Sequence, residues 1–221
     1  MPDQPERRDP PATWLCLRYS KLGPARFTSA RDIARLMERA IKRALLPVAY
    51  SSGFSPHQRV SYAYPAPTGA ASHAEYLLIG LTAPGDWVPA LGAQLPAGIQ
   101  PEAGVLTNDR HYLTQLAASR WRFDWPLATP PAGLKATAAR FMSSDHVLIE
   151  RKSKSGTASQ DVRGAVVAIE ATDTSLEAVL TQGLPLIRPS DLLAGLGLEG
   201  ALYTRQTQGH LAQDGTVTNL I

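Results

Sequence analysis

Cysteine is almost absent. Cys16 is the one thiol in 221 residues, which excludes an internal disulfide and any cluster of cysteine ligands. It lies in the apolar run Trp14-Leu15-Cys16-Leu17 and reads as a small buried hydrophobe. Long apolar runs are missing as well: none approaches the ~18 residues of a membrane-spanning helix. Charged residues make up 19%, fewer than the roughly 25% of ordinary globular chains. Motifs of established chemistry are lacking. There is no G-x-S-x-G, no G-x-x-x-x-G-K-[ST], no H-E-x-x-H, and no G-x-G-x-x-G following a strand. These absences argue against redox or metal chemistry belonging to the chain itself, and no cofactor is expected. Residues 1–13 are charged and Pro-rich, with no apolar centre of the kind a signal peptide needs. They read as a flexible tail on a cytoplasmic protein that meets no membrane.

What is present is a core and a concentration of positive charge. Hydrophobic residues at 44% are enough for a packed interior, and 18 prolines and 17 glycines imply many short elements joined by turns. Between Trp14 and Val60 lie nine basic residues (Arg18, Lys21, Arg26, Arg31, Arg35, Arg39, Lys42, Arg43 and Arg59) and two acidic ones, Asp32 and Glu38. The stretch carries +7 where the whole chain carries +3. Such asymmetry favours a polyanionic partner.

Hydrophobic periodicity organises the chain into two halves. In residues 14–108, Trp14 to Ser20 alternates as a strand. Thr28 or Ser29 can cap a helix, and Ile33, Leu36, Met37, Ala40, Ile41 and Ala44 recur on one face to about Leu45, where Pro47 ends it. Strands are expected at 48–51, 59–64, 75–81 and 98–106, and a second helix at 87–95. This is the order of the split βαβ, or ferredoxin-like, pattern with one extra strand or loop. Residues 109–208 repeat the order: strand 120–127, helix 132–142, strand 146–152, a polar hairpin-like tip at 153–160, apolar segments at 161–171 and 175–180, a Pro-started helix at 189–196 and a strand at 201–206. Residues 209–221 read as a second flexible tail. The expected fold is α+β, two tandem ferredoxin-like halves with antiparallel sheets.

Four constellations stand out. Arg31, Arg35, Arg39 and Lys42 or Arg43 recur at helical spacing, opposite the apolar face; such a row can track phosphates. The loop Tyr50-Ser51-Ser52-Gly53-Phe54-Ser55-Pro56-His57-Gln58-Arg59 combines aromatics, hydroxyls, a flexible glycine, an imidazole and a guanidinium. Its free N–H groups can cradle an anion, and Phe54 or Tyr50 can stack on a base. His57, His73, Glu75 and Asp32 are the titratable groups suited to acid–base work, with His57 the foremost candidate base. No nucleophile is paired with His57 in the sequence, and no metal set is complete. Finally, Arg188-Pro189-Ser190-Asp191 reads as the start of a helix.

The motifs also carry a resemblance. Arg18-Tyr19-Ser20-Lys21, Arg26-Phe27-Thr28-Ser29 with Asp32, Glu38-Arg39-Ala40 with Arg43-Ala44, the loop from Tyr50 to His57, Gly69 and Glu75 resemble the DUF2344 family over about residues 14–82. Weaker echoes continue through Ile149-Glu150-Arg151-Lys152, Asp161-Val162-Arg163 and Arg188-Pro189 to Tyr203-Thr204-Arg205. The family is known as radical-SAM-linked or radical-SAM-associated, its members fused to or encoded beside a radical SAM protein, often near ribonuclease E/G. The resemblance implies work alongside RNA processing or modification. This chain has no C-x-x-x-C-x-x-C and cannot itself hold a radical SAM iron–sulfur cluster. It has Ser29-Ala30-Arg31-Asp32 where the family usually has Ser-His-Leu-Asp; the change removes a histidine and adds a cation to the basic row. The expectation is therefore an RNA-binding or adaptor protein using Arg31, Arg35, Arg39, Lys42, Arg43, Tyr50, Phe54, His57 and Arg59. One alternative is a module docking on a radical SAM enzyme or ribonuclease E/G, and another is a metal-independent RNA endonuclease using His57.

Overall fold

The computed structural model describes residues 9–126, 129–153 and 156–221. Most of the expected N-terminal tail, Leu127 of the strand expected at 120–127 and two residues of the 153–160 tip lie outside the described residues. The chain divides into two units, the first ending at Gln115 and the second running from Leu116 to Leu220. Both mix helix and strand. Among the described residues there are four α-helices, and the strand pairs inside each unit are antiparallel.

The first unit runs β1 (Thr13–Lys21), α1 (Ala30–Arg43), β2 (Val60–Ala63), β3 (Ala71–Leu81), α2 (Val88–Gly92) and β4 (Ile99–Thr107). Its strands lie in the order β4-β1-β3-β2. Leu15 pairs with Ile79, Leu17 with Leu77, and Tyr62 also with Leu77. Because side chains alternate across a strand, these registers put Leu15, Leu17, Tyr19, Leu77, Ile79 and Leu81 on one face. That face packs on Ile33, Met37, Ala40 and Ile41 of α1, joined by Leu91 and Ile99. Each large apolar side chain taken from water there contributes about 1.5–3 kcal/mol. Cys16 points to the opposite face and is wholly buried; burial pushes its thiol up to about 12.

Two local expectations shift. The strand expected at 48–51 is reduced to isolated bridges, Val48 to Leu81 and Tyr50 to Gln58. The helix expected to reach Leu45 stops at Arg43, with Ala44 as its cap. Leu45 then takes φ 54° and is 83% exposed, a left-handed position that helices usually give to glycine.

The second unit runs β5 (Ala118–Asp124), α3 (Leu134–Ser143), β6 (Leu148–Ser153), β7 (Gly156–Asp161), β8 (Val166–Ala171), β9 (Ser175–Thr181), α4 (Pro189–Leu196), β10 (Leu202–Leu211) and β11 (Val217–Asn219). Its strands lie in the order β10-β5-β9-β8, while β6 and β7 form a separate hairpin. The tip expected at 153–160 is thus largely strand. Trp121 and Phe123 are buried with Leu134 and Phe141 of α3 and Leu192 of α4. The Arg188-Pro189 motif opens α4: Pro189 sits in the first turn, and the Arg188 amide donates to the Asp191 carboxylate at 2.9 Å. Asp161 ties down the base of the β6–β7 hairpin, accepting from the Val147 and Arg163 amides at 3.0 Å each and meeting His146 Nδ1 at 2.7 Å.

The segment expected to be loose from residue 209 onward is instead ordered in strands. β10 continues to Leu211, and Gly209, His210 and Leu211 pair with Asn219, Thr218 and Val217 of β11. The reason is a close backbone approach. A Cβ on Gly209 would lie 2.2 Å from the Thr218 carbonyl oxygen, so only glycine admits β11 there. Val217 and Leu220 are buried here, but two apolar residues among polar neighbours make no hydrophobic pattern, which is why the stretch reads as a tail.

Candidate nucleic-acid interface

The N-terminus of α1 is set by Ser29, whose Oγ accepts from the Asp32 amide at 3.2 Å and donates to the Asp32 carboxylate at 2.7 Å. Asp32 also stands where the helix dipole favours a negative charge. The cap fixes which residues face outward. With the buried stripe taken by Ile33, Met37, Ala40 and Ile41, the side chains of Arg31, Arg35, Arg39, Lys42 and Arg43 are all exposed. From Arg31 to Lys42 this row extends about 16 Å along the axis at 1.5 Å per residue.

The cations are not equivalent. Arg35 lies 3.7 Å from Asp32, with both side chains more than half exposed, a geometry worth little and easily given up to a phosphate. Arg43 Nη2 donates to the Gln94 carbonyl at 2.7 Å, which draws it toward the end of α2. Leu36, Arg39 and Arg43 line a groove with Ala93, Gln94, Leu95 and Pro96, about 480 Å³ in volume. Arg31, Arg35 and Lys42 project on the far side from the core, and Arg39 and Arg43 flank the groove.

The Tyr50–Arg59 loop is a closed structure held at its base. The Ser51 amide donates to the His57 carbonyl at 2.9 Å, and the Arg59 amide donates to the Ala49 carbonyl at 2.8 Å. The His57 amide donates to Ser51 Oγ at 3.1 Å, and Nδ1 of His57 lies 3.2 Å from the same oxygen and 3.4 Å from the Ser55 carbonyl. Ser51 is therefore the partner of His57 that no motif spacing revealed. The arrangement fastens the loop and leaves the imidazole exposed. Arg59 Nε donates to the Tyr50 carbonyl at 3.3 Å, and both residues are half-buried. Gly53, at φ 124°, turns the chain, and Phe54 beside it is 80% exposed. Gln58 is buried, and its Nε2 lies 3.4 Å from the Glu38 carbonyl of α1, a long contact that joins loop and helix. Phe54 and His57 are thus presented outward, while Tyr50 and Arg59 sit at the loop's base.

The remaining acid–base candidates separate. His73 is exposed, whereas Glu75 is 2% exposed, its Oε2 accepting from the Ala66 amide at 2.9 Å. Lys21 is equally buried, its Nζ donating to the carbonyls of Ala66 at 3.1 Å and Pro67 at 3.2 Å. Two buried ionisable side chains therefore grip the Ala66 peptide from opposite ends. Such groups stay inside only when bonded. The signal for this role in the sequence is a lysine ending a strand that is otherwise mostly buried. Among the described residues, no group of three or more His, Cys, Asp or Glu is placed to hold a metal ion.

The fold defines a mixed α+β protein with mostly antiparallel strands, and its first unit turns one strongly basic helical face outward. Over residues 15–189 the chain matches the DUF2344 family, described as an uncharacterized protein conserved in bacteria, and it belongs to that family. No curated protein matches it.

Proposed function

We propose that this protein binds single-stranded or unpaired RNA on the outer face of α1, with the Tyr50–Arg59 loop supplying a base-stacking aromatic. The observation that carries the reading is the pairing of an exposed cation row with an exposed Phe54 on a loop tethered to the same helix. Basic grooves with stacking aromatics are how proteins hold unpaired strands without reading their sequence. Arg31, Arg35, Arg39 and Lys42 contact phosphates, Phe54 stacks, and His57 and Arg59 hold the loop in shape. We further read each unit as one split βαβ half. The support is that β1-α1-β2-β3-α2-β4 and β5-α3-β8-β9-α4-β10 follow the same element order with matching strand orders, the β6–β7 hairpin being an insertion in the second. The test is ultraviolet crosslinking of the full chain to a labelled oligoribonucleotide, followed by peptide mapping. Crosslinks are expected in the peptide holding Phe54. Absence of binding at low salt, or crosslinks confined to the second unit, overturns the proposal.

One observation favours a second reading. The groove between α1 and Leu95 has an apolar floor and two arginines at its rim, which suits an acidic, partly apolar protein segment. In that reading the chain is an adaptor on a radical SAM enzyme or ribonuclease E/G. Binding to such a purified partner would survive nuclease treatment and be lost in Arg43→Glu.

A further inference from the structure

A second cavity lies beside the N-terminus of α1, at the opposite end of the helix from the Arg43 groove. It measures about 170 Å³ and is lined by Tyr19, Lys21, Ile33, Tyr62, Ala66 and Glu75, with Ala30 and Pro65 at its edge. Tyr19, Lys21, Ile33, Ala66 and Glu75 are buried, whereas Ala30 and Pro65 are exposed, so the mouth opens between those two. Arg31 follows Ala30 directly and is itself exposed.

The chemistry of the walls is selective. Tyr62 pairs with Leu77, so its ring lies on the helix side of the sheet. Its hydroxyl is buried and has no hydrogen-bond partner among the described residues. Burial, and then the charge of Glu38, push that hydroxyl well above the ordinary tyrosine value, so it stays protonated and able to donate. A buried hydroxyl left unpaired is costly, and this one is available to a ligand atom. Lys21 and Glu75, both bonded to the Ala66 backbone, add a buried cation and a buried carboxylate to the lining. A cavity of roughly 150 Å³ lined by apolar groups is enough to hold one benzene ring. The space therefore fits a single flat ring with hydrogen-bonding edges more closely than a fused bicycle.

The geometry points to a pyrimidine-base pocket, in which a cytosine or uracil ring enters between Ala30 and Pro65, lies among the Tyr19, Tyr62 and Ile33 surfaces, and meets the Tyr62 hydroxyl. The nucleotide's phosphate then lies outside, at the exposed Arg31. This inference deepens the RNA-binding reading and rests on it for the source of the base. Aromatic walls and edge hydrogen bonds are the usual means of holding an unstacked base.

The test is calorimetric titration of the full chain with CMP, UMP, AMP, GMP and ribose 5-phosphate, alongside short pyrimidine and purine oligoribonucleotides. CMP or UMP is expected to bind at least tenfold tighter than the purine nucleotides, with ribose 5-phosphate weaker still. Ala30→Trp places a large ring at the mouth from an exposed position and is expected to reduce pyrimidine binding more than tenfold. Tyr62→Phe, which removes one oxygen, is expected to weaken it several-fold. An oligonucleotide that binds much tighter than its mononucleotide, and is also weakened by Ala30→Trp, identifies an RNA strand as the source; equal affinities identify a free nucleotide. Purines binding as well as pyrimidines overturn the inference. RNA binding with no mononucleotide binding and no effect of Ala30→Trp also overturns it, while leaving the basic-helix reading intact. Mononucleotide binding lost in Ala30→Trp, with no RNA binding at any salt, supports the pocket and overturns the RNA reading.

Discussion

Neutralising Arg35 and Arg39 together should halve the salt dependence of RNA binding. Of the five exposed cations of α1, Arg43 is held by the Gln94 carbonyl, which leaves Arg31, Arg35, Arg39 and Lys42 for phosphates. If each meets one phosphate, single-strand binding loses affinity with a log–log slope of about −2.8, at roughly −0.7 per contact. Between 50 and 200 mM salt this is a loss of about 50-fold. Arg35→Ala/Arg39→Ala leaves two contacts, a slope of about −1.4 and a loss of about 7-fold over the same range. Alanine is the best helix former, and both side chains are exposed, so α1 itself should survive. Fluorescence anisotropy of a labelled oligoribonucleotide across a salt series gives both slopes directly, with thermal unfolding of the variant as control. A double variant that keeps the wild-type slope would refute the assignment of the phosphate contacts to this face.

Other consequences are measurable in the same protein. Phe54→Ala should weaken RNA binding by about 1–3 kcal/mol, the range for loss of one stacked base, while leaving the thermal midpoint unchanged because the ring is 80% exposed; a drop in midpoint would show that the ring packs. Met37 is fully buried under the sheet, so Met37→Ala should destabilise by about 2–5 kcal/mol, read from the denaturation midpoint. His146 is raised above its ordinary value by its hydrogen bond to Asp161, whose carboxyl is in turn lowered, chiefly by His146. The raised imidazole stabilises below its unfolded value and loses that contribution as pH rises through the folded one. The lowered carboxylate stabilises above its unfolded value and loses that contribution as pH falls through the folded one. The pair is thus best formed in the mildly acidic window between the two, and an NMR titration should find the His146 value returning toward about 6.5 in Asp161→Asn. Cys16, wholly buried with its thiol pushed up to about 12, should resist alkylation in the folded protein and react once denaturant is added.

Local signals carried α1 faithfully. The cap at Ser29, the acid at Asp32, the buried stripe and the outward cations all follow from the spacing of neighbouring residues, and each is where that spacing put it. The DUF2344 membership was also legible, through motifs concentrated in the same stretch. What escaped depends on residues distant in the chain. Lys21 looks like a turn residue until the carbonyls of Ala66 and Pro67 come to it from 45 and 46 positions away. The Ser51–His57 latch needs the chain to fold back through Gly53. β11 is a strand because Gly209 lets a backbone approach, and no periodicity of side chains announces that.

Leu45 offers an opening to the protein engineer. A leucine at φ 54° carries a steric penalty of roughly 1–2 kcal/mol, and here the side chain is left 83% in water with little packing to offset it. Asparagine tolerates the left-handed region, without the extra chain freedom that glycine adds to the unfolded state. Leu45→Asn is therefore a one-residue route to a sturdier and less sticky scaffold. Leu45 lines neither the groove beside Arg43 nor the cavity beside Ala30, so both remain for study in the stabilised background.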